Sequence, residues 1–304
     1  MVLEVCVAIP GEVDDPGWVA AAREGWEALP LSLRRAVRQF RRDSGPHGCL
    51  LLRGIPLGAA DTIPPTPMVA GSVQRTPAAA AAALVMIACG LGDPVAFQAE
   101  KSGALVQDVV PVPGREKFQG NAGSVLLSFH NENAFHLHRP DFLMLLCLRA
   151  DHERVAQLTT ACIRTVLPLL SEDAREALFS DEFVTEPPPS FASGGATSPH
   201  PVLFGAQDDP DIRVDIAATT PLTPRAKAGL AELDKLFTDT ACSCSGKLNP
   251  GDLAIVDNRV TVHGRSAFTP RYDGADRWLQ RTFVAADLRR SRNHRPQDGY
   301  VLTR

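Results

Sequence analysis

His130 and Glu132 stand two residues apart in Ser128-Phe129-His130-Asn131-Glu132-Asn133-Ala134-Phe135-His136. On a β-strand, residues i and i+2 point to the same face, so this spacing would set an imidazole beside a carboxylate. A third ligand has to come from elsewhere in the fold. The best candidate is His263, in Val256-Asp257-Asn258-Arg259-Val260-Thr261-Val262-His263-Gly264-Arg265. Two histidines and one carboxylate on one face of an octahedron leave three positions open, the arrangement that holds Fe(II) for oxygen chemistry. A bidentate co-substrate and then O2 can fill those positions. The His-x-Glu pair alone fits a surface histidine beside a solvated glutamate equally well, and the surrounding chain has to decide.

The elements that would position these residues follow from patterning. Residues 12–44 read as two helices, the first opened by Pro16-Gly17-Trp18 and the second, Leu31 to Arg42, set off by Pro30. Gly48 to Gly54 predicts a buried strand. Thr76 with Pro77 predicts the start of a helix running to about Cys89. From Val95 the texture turns to short strands: Ala104 to Val112, Ser124 to Phe129, and the continuously apolar Phe142 to Arg149, which implies cover on both faces. Ala156 to Leu170 and Ser171 to Leu178 read as helices, and residues 187–200 as a mobile loop that could serve as a lid. Asp211 to Ile216 alternates like a strand, and Thr223 to Thr238 is an amphipathic helix. Leu253 to Val256, Val260 to His263 and Trp278 to Ala285 are the closing strands. This predicts one domain over 1–304, mainly β with flanking helices and a double-stranded β-helix (jelly-roll) core. Residues 1–92 would be a largely helical N-terminal part, and 93–290 the core with a helical and loop insert around 155–240.

Composition excludes several classes. A net charge of −4 leaves no electrostatic footprint for nucleic acid or an anionic membrane. Met1 to Val7 has an acidic residue and no basic stretch, which predicts no signal peptide, and the apolar run Ala78 to Leu91 is too short to span a bilayer. Seven cysteines without framework spacing predict reduced thiols in a cytoplasm, and Cys242-Ser243-Cys244 reads as incidental.

Three segments together resemble the clavaminate synthase-like branch of the Fe(II)/2-oxoglutarate oxygenases, whose core is similar to that of taurine dioxygenase. The first runs from Gln98-Ala-Glu-Lys-Ser-Gly-Ala-Leu through Gln119-Gly-Asn-Ala-Gly to Phe129-His-Asn-Glu. The second is Arg139-Pro-Asp-Phe-Leu-Met-Leu-Leu-Cys-Leu-Arg. The third runs from Leu248-Asn-Pro-Gly-Asp through His263-Gly-Arg to Arg277-Trp-Leu-Gln-Arg281. The resemblance covers most of residues 90–290. It implies iron ligands at His130, Glu132 and His263. It also implies that Arg277 pairs with the distal carboxylate of 2-oxoglutarate and Arg281 with the carboxylate of an amino-acid-like substrate, tasks that suit a planar, permanently charged fork. Two departures stand out. Asn131 replaces the usual Thr between His and Glu, and should face away from the metal. Leu158 falls where a Thr would help hold 2-oxoglutarate, with Thr159 and Thr160 next to it as candidates to supply the hydroxyl.

The chemistry so implied is hydroxylation of an unactivated C–H bond of a free amino acid or close derivative, in specialised, antibiotic-type metabolism. 2-Oxoglutarate and O2 would be consumed, and succinate and CO2 released. Desaturation or oxidative cyclisation would use the same site, whereas the presence of Glu132 argues against halogenation. Glu100 and Asp215 are the candidate partners for a substrate ammonium or a distal cation; each also fits an ordinary surface charge. His136 and His138 fit packing at the site's mouth better than ligation. A ligand-binding relative that has lost the co-substrate pocket and a zinc hydrolase on the same three ligands are the competing readings. Neither oligomeric state nor the oxidised carbon is legible.

Overall fold

The computed structural model describes residues 11–59 and 62–303, and the side chains of 192–194 are outside the description; so is the N-terminal stretch Met1 to Val7. In chain order the elements are α1 (Pro16–Glu27), α2 (Leu31–Arg42), β1 (Cys49–Leu52), α3 (Ala79–Leu91), β2 (Asp93–Phe97), β3 (Gln107–Val109), β4 (Leu127–His130), β5 (Phe142–Arg149) and β6 (Gln157–Cys162). There follow α4 (Ile163–Val166), α5 (Glu172–Leu178), β7 (Phe183–Thr185), β8 (Leu203–Gly205), β9 (Pro210–Ile212), β10 (Thr219–Pro221) and α6 (Pro224–Thr238). The chain closes with β11 (Ser243–Lys247), β12 (Leu253–Asp257), β13 (Thr261–Arg265), β14 (Trp278–Ala285) and β15 (Val301–Leu302), interspersed with 3-10 turns.

Two sheets carry the structure. The larger has the order β1-β12-β5-β14-β2-β15, with β3 also paired to β14; the smaller is β11-β6-β13-β4. Pairing is antiparallel throughout these two sheets except between β2 and β15. β5 shows why its sequence is continuously apolar. Phe142, Met144, Leu146 and Leu148 pack with the N-terminal helices, while Leu143, Leu145 and Cys147 face inward. Eleven of the thirteen residues of α3 are buried, so it is an enclosed core helix rather than an amphipathic one. It lies so close to α1 that a Cβ on Gly90 would sit 2.4 Å from the Trp26 ring. A second core packs the insert, α4 to α6, against Ala161, Val260 and Val262 on the outer face of the smaller sheet.

Most expected elements are present, although Ala104 to Val112 shortens to β3 and Asp211 to Ile216 to β9, and four larger corrections stand beside these. Residues 157–162 are a strand, not the first half of a helix: β6 is captured between β11 and β13, and only Ile163–Val166 turns helical. β11 had no counterpart in the pattern reading, because it is an exposed edge strand with no apolar alternation. α3 starts two residues later than Thr76-Pro77 implies: Ala78, still extended at φ −143° and ψ 154°, precedes its first turn, and the Thr76 carbonyl is taken by the Gln74 amide. β1 is a half-exposed edge strand paired to β12 rather than a buried one. Among the described residues no helix is long and apolar enough to cross a membrane.

Candidate active site

A cavity of about 470 Å³ lies between the two sheets, with Leu143 and Leu145 of β5 and Leu279 and Arg281 of β14 on one side. His130 of β4, Leu158 of β6, and His263 and Arg265 of β13 line the other. His263 and His130 are register partners on adjacent strands, which brings their ring centroids to 4.2 Å. Glu132 arrives differently from the strand-face expectation. β4 ends at His130, and Glu132 lies in the turn beyond it. The carboxylate still reaches the site: its Oε2 is 3.6 Å from His263 Nε2, and one ligand atom from each of the three residues lies within 4.8 Å of the others.

That turn is pinned by two buried amides. Asn258 Oδ1 accepts from the Glu132 N–H at 2.8 Å, and Asn258 Nδ2 donates to the Glu132 and Pro140 carbonyls at 3.1 and 2.8 Å. Asn131 points away from the cluster, as expected of it. Its Nδ2 donates to the Asn258 carbonyl at 2.8 Å, and its Oδ1 accepts from Val214 N–H at 3.0 Å. Asn133 then takes the left-handed conformation, φ +52°, which an asparagine tolerates.

The donor set suits a divalent metal. His130 Nδ1 lies 2.9 Å from the Ser128 carbonyl; donating there fixes the tautomer that leaves Nε2 free to ligate. Burial, reinforced by neighbouring His130, pushes the His263 imidazole down to about 4, so it is neutral at physiological pH. Burial alone would raise the Glu132 carboxyl, but the Arg281 guanidinium beside it, together with a hydrogen bond from His263, holds it well below the usual carboxylate range. Two neutral imidazoles and an ionised carboxylate are what ferrous iron takes in open-sided sites.

Arg281 is 5% exposed and its two terminal nitrogens are engaged, while its buried Nε has no acceptor among the described residues. Its Nη1 donates to Glu132 Oε1 at 2.9 Å, and its Nη2 bonds both Glu100 and Gln107. Glu100 keeps its second oxygen, Oε2, buried and without a partner among the described residues. Arg277 is the contrast. It lines the same cavity at 7% exposure, and among the described residues no acceptor touches it. Burial pushes its guanidinium pKa down. Asp215 also lines the cavity, opposite His130 through an isolated bridge, with Oδ1 accepting from the Ala217 and Ala218 N–H groups.

Neither threonine reaches the cavity. Thr160 sits opposite His263 without lining the space, and Thr159 alternates to the other face, its hydroxyl against Gly264. Leu158 does line it. His136 and His138 also leave the site. The first packs edge-on against Phe97 at 4.8 Å, and the second stacks near His294 at 4.9 Å. The 187–200 segment contributes Phe191 and the preceding prolines to the cavity wall. Three site residues escaped the sequence reading: Asn258, Gln107 and Arg265. Asn258 and Arg265 were visible in the quoted Asp257-Asn258-Arg259 and His263-Gly264-Arg265 stretches, but nothing local assigns an amide or a third arginine a task.

Comparison with known proteins bears on this geometry. The family described as taurine catabolism dioxygenase TauD, TfdA family matches residues 18–283. An L-asparagine oxygenase of Streptomyces coelicolor is 64% identical over 293 residues, covering 96% of this chain and 87% of the relative. Clavaminate synthase 2 of Streptomyces clavuligerus is 33% identical over 276 residues, 89% and 84% of the two chains. A solved asparagine oxygenase in complex with Fe(II), 2S,3S-3-hydroxyasparagine and succinate superimposes with a TM-score of 0.96 at 61% identity, covering all of this chain and 95% of that one.

Proposed function

This chain belongs to the taurine catabolism dioxygenase TauD, TfdA family, and from that premise we propose that it hydroxylates free L-asparagine at the β-carbon. It is an Fe(II)/2-oxoglutarate-dependent oxygenase acting on an amino acid. The observation that carries the finer reading is the pairing of the three-ligand cluster with two differently prepared arginines, in a chain 64% identical to an L-asparagine oxygenase. We assign the two facing sheets to a double-stranded β-helix.

In this reading His130, Glu132 and His263 hold the iron. Ferrous iron held there would supply, with 2-oxoglutarate and O2 as co-substrates, the oxidising power for hydroxylating a substrate C–H bond. The chain's own residues bind, orient and keep water out. Arg277, with no acceptor among the described residues, receives the distal carboxylate of the co-substrate; the bond replaces the lost solvation of a buried cation. Arg281 takes the α-carboxylate of the amino acid. The free Oε2 of Glu100 accepts the α-ammonium, and Asp215 stands on the far wall as a second acceptor for a substrate N–H. Leu143, Leu145, Leu158 and Leu279 exclude water around the reacting carbon.

The test is turnover of Fe(II)-loaded protein in air with 2-oxoglutarate and separate amino acids: L-asparagine, L-glutamine, L-aspartate, D-asparagine, L-lysine and L-arginine. L-Asparagine is expected to give a product heavier by one oxygen together with one succinate, and the others no more than about a tenth of that rate. Faster oxidation of another amino acid would overturn the asparagine assignment.

A further inference from the structure

Arg265 follows His263 by two residues on β13 and shares its face, so the two Cα atoms are about 7 Å apart. Its side chain is 5% exposed and lines the iron cavity. Nη2 donates to the Val125 carbonyl at 2.9 Å, while Nε is buried with no acceptor among the described residues. Arg277, the residue just before β14, lines the same cavity. Both guanidiniums lie near the Phe268 ring, whose centroid is 5.3 Å from the Arg265 guanidinium carbon and 5.7 Å from that of Arg277. Among the described residues neither arginine forms an ion pair with a carboxylate. The acid within electrostatic reach of Arg277 is Asp151, which spends its oxygens on the Val155 and Ala156 N–H groups at 2.8 and 3.0 Å.

Two buried guanidiniums facing one end of a cavity, with no carboxylate paired to either among the described residues, are costly in the absence of a ligand. An anion seated between them would relieve both, and a carboxylate offers two oxygens with lone pairs enough for two forks. The distance along β13 fits as well. A five-carbon 2-oxo diacid held at the metal through its keto-acid end would place its far carboxylate about one such strand step away. Leu158, the register partner of Arg265, brings no hydroxyl to that end, and Thr159 and Thr160 do not line the space.

We propose that Arg265 is a second binding residue for the distal carboxylate of 2-oxoglutarate, acting together with Arg277. The proposal rests on the co-substrate site described above. It makes the pair selective for diacids over 2-oxo acids that end in a methyl group.

The test is anaerobic calorimetry on Fe(II)-loaded wild type, Arg265→Gln and Arg265→Lys, titrated with 2-oxoglutarate and with 2-oxobutyrate, which lacks the distal carboxylate. Thermal unfolding and iron content serve as controls for folding. Arg265→Gln should weaken 2-oxoglutarate by about tenfold or more and leave 2-oxobutyrate within about twofold; Arg265→Lys should recover part of the loss. Unchanged affinity for 2-oxoglutarate in Arg265→Gln would overturn the assignment while leaving the co-substrate site intact. Equal losses for both acids, with a lowered melting temperature, would overturn it in favour of a purely structural role. A wild type that binds 2-oxobutyrate but not 2-oxoglutarate would overturn the co-substrate reading itself, together with this proposal.

Discussion

Replacing Asn258 by alanine should damage both stability and the metal site, although Asn258 ligates nothing. The side chain is fully buried and makes three hydrogen bonds, accepting from the Glu132 N–H and donating to the Glu132 and Pro140 carbonyls. Each bond contributes about 1 kcal/mol net, and each partner left buried and unpaired costs about 1–3 kcal/mol. Water entering the small space left by the amide offsets part of this. The expected loss is therefore about 3–5 kcal/mol, on the order of 10 °C in melting temperature. Freeing the Glu132 backbone also lets the carboxylate swing. Iron affinity should fall by about 10- to 100-fold, the scale found when groups that orient metal ligands are removed. Urea unfolding of the apoprotein and anaerobic ferrous titration measure the two effects separately. Loss of less than about 1 kcal/mol with unchanged iron affinity would refute the reasoning, because it would mean that the turn holds Glu132 without the amide.

Three further outcomes follow from the same geometry. Arg281→Lys should raise the KM for the amino acid by about 10- to 100-fold in steady-state kinetics, since one ammonium cannot reproduce a fork already shared among Glu132, Glu100 and Gln107. Gly90→Ala should destabilise by about 1–3 kcal/mol in denaturant unfolding, through the clash with Trp26, and leave turnover unchanged. Lys101, pushed down to about 8 first by burial and then by Arg281, binds its proton more weakly folded than unfolded. Wild type should therefore gain stability relative to Lys101→Met as pH rises from about 8 towards 10.5, and unfolding measured at several pH values should show a positive slope in that difference.

The parts of this molecule that local pattern dictates were legible in its sequence. α1, α2, α6, β5 and β14 lie where periodicity, proline and threonine caps put them, because each buries a face that its own residues define. β6 was misread because Gln157 to Val166 contains no break. What makes its first half a strand is pairing with β13 and β11, whose residues lie roughly eighty to a hundred positions later. The site divides in the same way. Residue type and spacing pointed to the three histidine and glutamate candidates. The strand face was the wrong vehicle for Glu132, which a turn carries in under the grip of Asn258. The engagement of Arg281 with Glu132 and the shared position of Arg265 and Arg277 depend on which sheets face each other, and no local pattern encodes that.

The most direct test of the account is anaerobic ferrous-ion binding to wild type and to His263→Ala, with melting temperatures confirming that both are folded. Wild type is expected to hold one ion tightly per chain, and the variant to bind it with an affinity lower by at least about tenfold. Equal binding by the two proteins would contradict that expectation.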